Sequence, residues 1–402
     1  MTETIQTLEA SRTDPSLHPS NLDSSSGSVH GDTRKVLLIS NRVMHYRVPI
    51  YNYFHRRFCE SGYEFSVLAD QLSGDNQKPI EFGLQQLPFD FPKYRKVIRD
   101  LRPAAVILFL HMKDRITWSL IHWLKVRRIP FAFWTKGGNW DDPDSRLKYC
   151  LFNYIHALSD GLILYSTSCK NFIHPRFHAK AFVANNTLNF ESFPRVAESK
   201  EEIKRELGIP FAKTVLFMGN MAADSGRKRV DHLIEIFRNL QREDVGLVLA
   251  GPGMSPDLQR RLNPRNTRYF GNLQDPEDRQ INRLCKMADL CAIPGHVGLG
   301  LNQAFYWGLP VITEEGHHPP EIAYLKPGRN GFIVPSGALA AFEQRMLEVL
   351  DNDELRAELS RNAALDIRKD ASPEIMFQGF HQCVERLAGE QNQSAPLSVW
   401  RS

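Results

Sequence analysis

Apolar residues along this chain gather in short, nearly unbroken runs instead of a strict alternation. The runs "KVLLISN" from Lys35, "FSVLAD", "AAVILFL", "IPFAFWT", "DGLILYS" and "KAFVANN" have strand length and no polar face, the pattern of a parallel sheet covered on both sides. Between them, segments such as "SRLKYCLFNYIHAL" repeat apolar positions at helical spacing and predict crossover helices. A charged stretch from residue 188 to 213, with one predicted helix and two prolines, interrupts the series. It resumes with "TVLFMGN", "VGLVLAG", "TRYFGNL", "ADLCAIPG" and "LPVITEE", separated by helices such as "RVDHLIEIFRNL" and "PEDRQINRLCKM".

The predicted fold is therefore α/β: two doubly wound Rossmann-like domains facing across a cleft, with ligands bound beyond the carboxyl ends of the strands. The expected boundaries are a disordered tail over 1–33, an N-terminal domain over 34–190, a linker over 191–212 and a C-terminal domain over 213–372. A helix over 373–389 is expected to cross back to the first domain, ahead of a flexible tail over 390–402. The first 33 residues are too poor in apolar side chains to offset the entropy of ordering.

Composition adds exclusions. A chain of 402 residues supplies two cores of ordinary size, and a formal net charge of +4 is too balanced to argue for nucleic acid. Six scattered cysteines without a C-x-x-C pair fit a reduced, cytoplasmic setting. No signal-peptide core and no run of about 18 apolar residues is present, so secretion and membrane spanning are not expected. Trp118 and Trp123, set among Lys113, Lys125, Arg127 and Arg128, leave two readings open: a packed crossover helix, or peripheral contact with the inner face of an anionic bilayer.

The chemistry lies in the second half. "LFMGN", "GRKRVDHLIEIF", "VLAGPG", "YFGNLQDPEDRQINRLCKMADLCAIPG", "GLGLNQAFYWGLPVI" and "PPEIAYLKPGRNGFIVP" follow one another over about residues 214 to 340. In this order they resemble the donor-binding domain of GT-B glycosyltransferases, closest to the retaining family 4 that uses nucleotide-diphosphate sugars. The resemblance implies that the loop at Gly219 and Asn220, with Lys228, holds the diphosphate. A cation beside a helix N-terminus suits that anion. The family has Arg where Asn220 stands, and Arg227 or Arg229 is a candidate to replace that charge; a solvated basic helix start is the bland alternative. Backbone around Asn272 and Leu273 would read the nucleobase, in a segment that also makes sense as a strand-to-helix turn with Asp275 as N-cap.

The family carries two glutamates seven residues apart, one by the donor sugar and one on the ribose. Here those positions fall on Gly295 and Gln303. Gln303 keeps hydrogen-bonding capacity without charge, His296 is a candidate to take over part of the lost role, and the N–H groups of Gly298, Leu299, Gly300 and Leu301 would approach the donor. Pro320 and Glu321 match a family Pro-Glu pair that suits any helix start. On the first domain, His45 and Arg47 follow the first strand, and Lys136, flanked by Gly137 and Gly138, occupies the place of a family histidine that reaches the donor sugar. His45 and Lys136 are the expected catalytic groups, and a cation at Lys136 points to a uronic acid on donor or acceptor. "DDPD" (Asp141 to Asp144) reads as turn chemistry, and no metal is expected.

The expected activity is transfer of a sugar from a UDP- or GDP-linked donor to a glycan or lipid-linked acceptor with retention, without further cofactor. Two alternatives stay open: a sugar-nucleotide epimerase or hydrolase of the same fold, and a non-catalytic nucleotide-sugar-binding protein.

Overall fold

Val36, Leu37, Leu38 and Ile39 are at most 1% exposed, because the strand that holds them is covered on both faces and paired on both edges. The computed structural model describes residues 33–73, 76–140, 145–222, 227–273 and 275–394. Residues 1–32 and 395–402, where most of the expected tails fall, lie outside these.

The first sheet comprises β1 (Arg34–Val43), β2 (Tyr63–Leu72), β3 (Gly83–Gln86), β4 (Ala105–Phe109), β5 (Phe131–Thr135), β6 (Gly161–Leu164) and β7 (Ala181–Val183). Their order is β3-β2-β1-β4-β5-β6-β7 and every pair is parallel, with Val36 level with Phe65 on one side and Ala105 on the other. The second sheet comprises β8 (Lys213–Met218), β9 (Val245–Ala250), β10 (Thr267–Tyr269), β11 (Leu290–Ala292), β12 (Val311–Glu314) and β13 (Gly331–Val334) in the parallel order β10-β9-β8-β11-β12-β13. The order in which strands are added reverses beside the first strand of each sheet, β1 or β8. That reversal opens a crevice at the carboxyl ends of the strands.

Strands β3 and β13 have no counterpart among the predicted runs. "GLQQ" pairs along one edge with three of its four positions exposed or nearly so, and offers no apolar run to detect. Residues 191–212 form more than a spacer. Val196, Ile203, Ile209 and Phe211 are buried in the second core, and the helix Lys200–Glu206 begins at a capping box made by Ser199 and Glu202. The last helix, Pro373–Ser394, returns to the first domain and buries Phe377, Phe380, Val384 and Leu387 in its core. It continues past residue 389 into the stretch expected to be a flexible tail. Trp118 and Trp123 pack against that same core, and the Trp118 indole donates to Met112 O.

His156, at the end of the helix Arg146–Leu158, is 1% exposed, and neither ring nitrogen has a partner among the described residues. Burial, helped by nearby Lys180, pulls its pKa down to about 4. The folded pKa lies below the unfolded value, so the unfolded chain takes up the proton first. The associated stability is complete above about pH 6.5 and drains away toward pH 4. That shift corresponds to roughly 3 kcal/mol. Thermal melting between pH 7 and 4.5 is expected to show a falling midpoint, and His156→Phe to make the fall shallower; an unchanged profile in the variant contradicts the assignment.

Candidate functional site

A cleft of about 670 Å³ runs between the two domains, walled by the segments that leave the strands at their carboxyl ends. After β1 come His45 and Arg47, after β5 Lys136, after β7 Asn186, after β8 Gly219 and Asn220, after β10 Asn272 and Leu273, and after β11 His296, Gly298, Leu299, Gly300 and Gln303. Residues far apart in sequence meet here because parallel strands all point the same way.

The floor on the second-domain side is built by close backbone approaches. Gly219 has φ 143°, and a Cβ placed there would lie 3.3 Å from Lys228 Cε. The lysine stem crosses this position, and its Nζ donates to Val297 O at 3.0 Å. Burial of the ammonium draws its pKa down to about 8, with Cys291 and Glu321 pulling the other way. Lys228 is thus a weakly hydrated cation held in the cleft wall, which gains when an anion arrives. Asn220 also lines the cleft, and its Oδ1 closes the turn by accepting from Ala222 N at 2.8 Å.

Gly295, where the family places its first glutamate, is the tightest contact of the site. A Cβ there would meet Arg227 O at 1.8 Å. The two loops are joined by Gly295 N to Lys228 O at 3.0 Å and His296 N to Arg227 O at 2.7 Å. The acid is absent from a position that has no room for any side chain.

The structure separates the basic residues around Lys228. Arg229 donates to Glu314 at 2.7 Å and to Ser336 at 2.8 Å. Glu314 is 1% exposed; against the upward push of its burial, His232, the Gly337 N–H and Arg229 hold its carboxyl below the usual range. Arg229 is therefore committed to fixing the loop that presents Lys228. Arg227 is exposed and does not reach the cleft wall, although its charge still bears on His296. His296 lines the cleft with its pKa lowered to about 4 by burial, then by Lys228, Lys136, Arg227 and His318. At neutral pH it is an uncharged imidazole amid cations.

The helix Leu299–Tyr306 begins at Gly298, which has φ 57°. Gly298, Leu299 and Gly300 line the cleft. Leu301 does not: its side chain is fully buried in the second core and its N–H donates to Gly298 O. That expectation is corrected, because only one side of the first helical turn faces the cleft and Leu301 is on the other. Gln303 lines the cleft and donates to Asn282 Oδ1 at 3.4 Å. The helix that follows Asn272 and Leu273 runs from Arg279 to Met287 with Asp278 at the N-cap position, where Asp275 was expected; Asp275 still accepts from the N–H groups of Arg279 and Gln280.

On the first-domain wall, His45 and Arg47 form a 3-10 turn after β1. Arg47 is 5% exposed, lies 4.5 Å over the Trp134 ring and donates to Asn186 Oδ1 at 2.8 Å. Lys136 faces the cleft, near enough to depress His296 from the opposite wall, and its carbonyl accepts from the Trp140 indole. Gly137 and Gly138 stand behind it, packed on Cys169 O and Phe172, and are not part of the wall. Asp141 to Asp144 lie outside the described residues.

Two features escaped the sequence reading. Asn186 joins the domains: it accepts from Arg47 through Oδ1, donates through Nδ2 to Glu321 Oε1, and its carbonyl accepts from Asn302 and Tyr324. Glu321 does stand in the first turn of the 3-10 helix Pro320–Tyr324, as the Pro-Glu pair implied, but it also belongs to the cleft. It is 4% exposed, lines the cleft, and its Oε2 has no partner among the described residues. The second feature is the ion pair of Lys78 with Asp278 at 2.6 Å, which spans the domains at the cleft. The one sequence signal was the pair "NN" after the last strand of the first domain, where Asn185 adopts φ 47°.

Residues 212–352 match the family model described as "Glycosyl transferases group 1". The chain is 24% identical over 196 residues to the alpha-D-kanosaminyltransferase of Streptomyces kanamyceticus, covering 47% of this chain and 49% of the relative. It is 26% identical over 204 residues to the D-rhamnosyltransferase WbpZ of Pseudomonas aeruginosa, covering 48% and 50% respectively. It thus spans about half the length of these curated relatives. Among solved structures, sucrose-phosphate synthase from Thermosynechococcus elongatus superposes with a TM-score of 0.68 at 15% identity, over 89% of this chain and all of that one. Anabaena Alr3699/HepE in complex with UDP gives 0.68 at 12% identity, over 88% of this chain and all of that one. The fold is GT-B.

Proposed function

We propose that the protein transfers a sugar from a UDP- or GDP-linked donor to a glycan or lipid-linked acceptor, with retained anomeric configuration and no cofactor beyond the nucleotide sugar. The observation that carries this reading is the enclosure of the Lys228 ammonium beside Gly219, in the same cleft wall as the start of the helix Leu299–Tyr306. A desolvated cation and exposed helix-start N–H groups together make a diphosphate site. In this reading the base lies against Asn272 and Leu273, and Gln303 accepts from the ribose. The departing diphosphate is stabilised by Lys228 and the helix start, the electrostatic term that usually dominates such reactions.

The substrate in this proposal brings its own negative charge. The Lys136 ammonium makes no hydrogen bond or ion pair among the described residues, although the backbone carbonyl accepts from Trp140, and with Arg47 and Lys228 it gives the cleft a cationic lining. A uronic acid on donor or acceptor would pair with it. A lipid-linked acceptor is supported by Leu147, Tyr149, Leu151 and Tyr154, exposed beside Arg146 and Lys148 on the helix Arg146–Leu158.

Nucleotide release from a panel of neutral and acidic sugar nucleotides, with and without acceptor, tests the reading. Release that depends on acceptor is expected, with Lys136→Ala costing an acidic substrate about tenfold more than a neutral one. Failure to bind any of the panel contradicts the transferase. Equal losses for acidic and neutral substrates contradict the uronic acid. A second reading, a nucleotide-sugar-binding protein without turnover, is favoured by the sealed position at Gly295; tight binding with no release in any combination would establish it.

A further inference from the structure

The cleft has two carboxylates among its described residues, and they differ in one respect. Asp278 is engaged by Lys78 at 2.6 Å. Glu321 is 4% exposed and uses Oε1 to accept from Asn186, while Oε2 has no partner among the described residues. A buried carboxylate oxygen without a donor is costly, and folded proteins rarely keep one without a use. The charge is not left to itself: it acts on Arg47 from one domain and on Lys228 from the other. It is oriented through Asn186, which is fixed in turn by Arg47, Asn302 and Tyr324.

We propose that Glu321 Oε2 accepts a hydrogen bond from a hydroxyl of the donor's transferred sugar, and so takes the place of the acid that Gly295 excludes. This rests on the transferase reading above. Two facts select the donor sugar over the acceptor. Glu321 lies close enough to Lys228 to interact with its charge, and the group bonded directly to the diphosphate is the sugar. A sugar presents several hydroxyl donors, and a carboxylate is the strongest neutral-hydroxyl acceptor a side chain offers. Glu321 touches substrate in this assignment through a hydrogen bond and forms no covalent bond to it.

Glu321→Gln keeps the shape and the contact to Asn186 while placing an amide where the acceptor oxygen stood. The experiment compares calorimetric affinities of the full chain for UDP and GDP with those for sugar nucleotides of the matching base, including monodeoxy analogues. The variant should bind the bare diphosphate within about twofold of the wild type and the sugar nucleotide at least about 20-fold more weakly. One monodeoxy donor should lose that increment with the wild type and lose almost nothing with the variant. Lys78→Ala, which breaks the other domain contact, to Asp278, and leaves both Asn186 and Glu321 in place, should keep the sugar increment. If the variant weakens diphosphate and sugar nucleotide equally, or neither, Glu321 serves the domain junction alone and the proposal is overturned. If the wild type binds no diphosphate and no sugar nucleotide, the transferase reading itself falls and takes this assignment with it.

Discussion

Lys228→Ala will lower affinity for a nucleoside diphosphate by at least about 30-fold. Its ammonium sits on the cleft floor, across Gly219 and against Val297 O. Removing one partner of a desolvated, charge-assisted contact costs about 2–5 kcal/mol, and no neighbour can substitute. Arg229 is locked to Glu314, and Arg227 does not line the cleft. The wild-type protein should also lose affinity as pH rises. A lysine drawn down to about 8 by burial is protonated at pH 7 and neutral at pH 9.5. A bound diphosphate favours the charged form, so binding takes up a proton once the free site has lost it. Affinity should then fall by up to about tenfold per pH unit above pH 8, and the variant should lack that slope. Titration calorimetry between pH 7 and 9.5 measures both. A flat wild-type profile with an unaffected variant would remove Lys228 from the site.

The second large effect is a failed restoration. Putting the family's acid back as Gly295→Glu will not improve the enzyme. A Cβ at this position lies 1.8 Å from Arg227 O and 2.8 Å from Lys228 C, so the loop that carries Lys228 must move. Displacing packed backbone of this kind costs on the order of 3 kcal/mol or more. It also breaks the Gly295 N to Lys228 O bond that sets the lysine's position. The variant should melt several degrees lower and lose diphosphate binding. Gln303→Glu is the contrasting case: it lies on the open wall and gains a charged acceptor for ribose, so it should fold normally. Thermal melts and nucleotide titrations on both variants decide the point. A stable Gly295→Glu protein with wild-type affinity would show that the alignment of the loops is wrong.

The two sheets were readable because buried parallel strands leave uninterrupted apolar runs, and the crossover helices leave a 3.6-residue period. The cleft followed from topology, since every loop that lines it leaves a strand at its carboxyl end. Lys228, Gln303, Lys136 and His296 could be named through the resemblance to GT-B glycosyltransferases, because each sits at or beside a position that matches a family motif. Other features were not local. The burial of Leu301 depends on which side of a helix turn faces the core, and the engagement of Arg229 depends on Glu314, 85 residues away. Glu321 looked like a helix-start acid in sequence. Its role emerges only when Asn186, 135 residues earlier, is brought against it. The glycine at 295 could be read as a missing acid, whereas its reason, the crossing of the loop at Arg227, is a contact between two turns that no one-dimensional pattern encodes.

The proposed binding mode sets the diphosphate at Lys228, the base at Asn272 and Leu273, and the sugar between Lys136 and Glu321. The most direct measurement is the electron density of crystals soaked in turn with UDP- and GDP-linked sugars. The predicted result puts a phosphate oxygen within hydrogen-bond reach of Lys228 Nζ and the Leu299 and Gly300 N–H groups, with a sugar hydroxyl on Glu321 Oε2. Nucleotide density bound elsewhere, or lying in the cleft with its diphosphate away from Lys228, would contradict it.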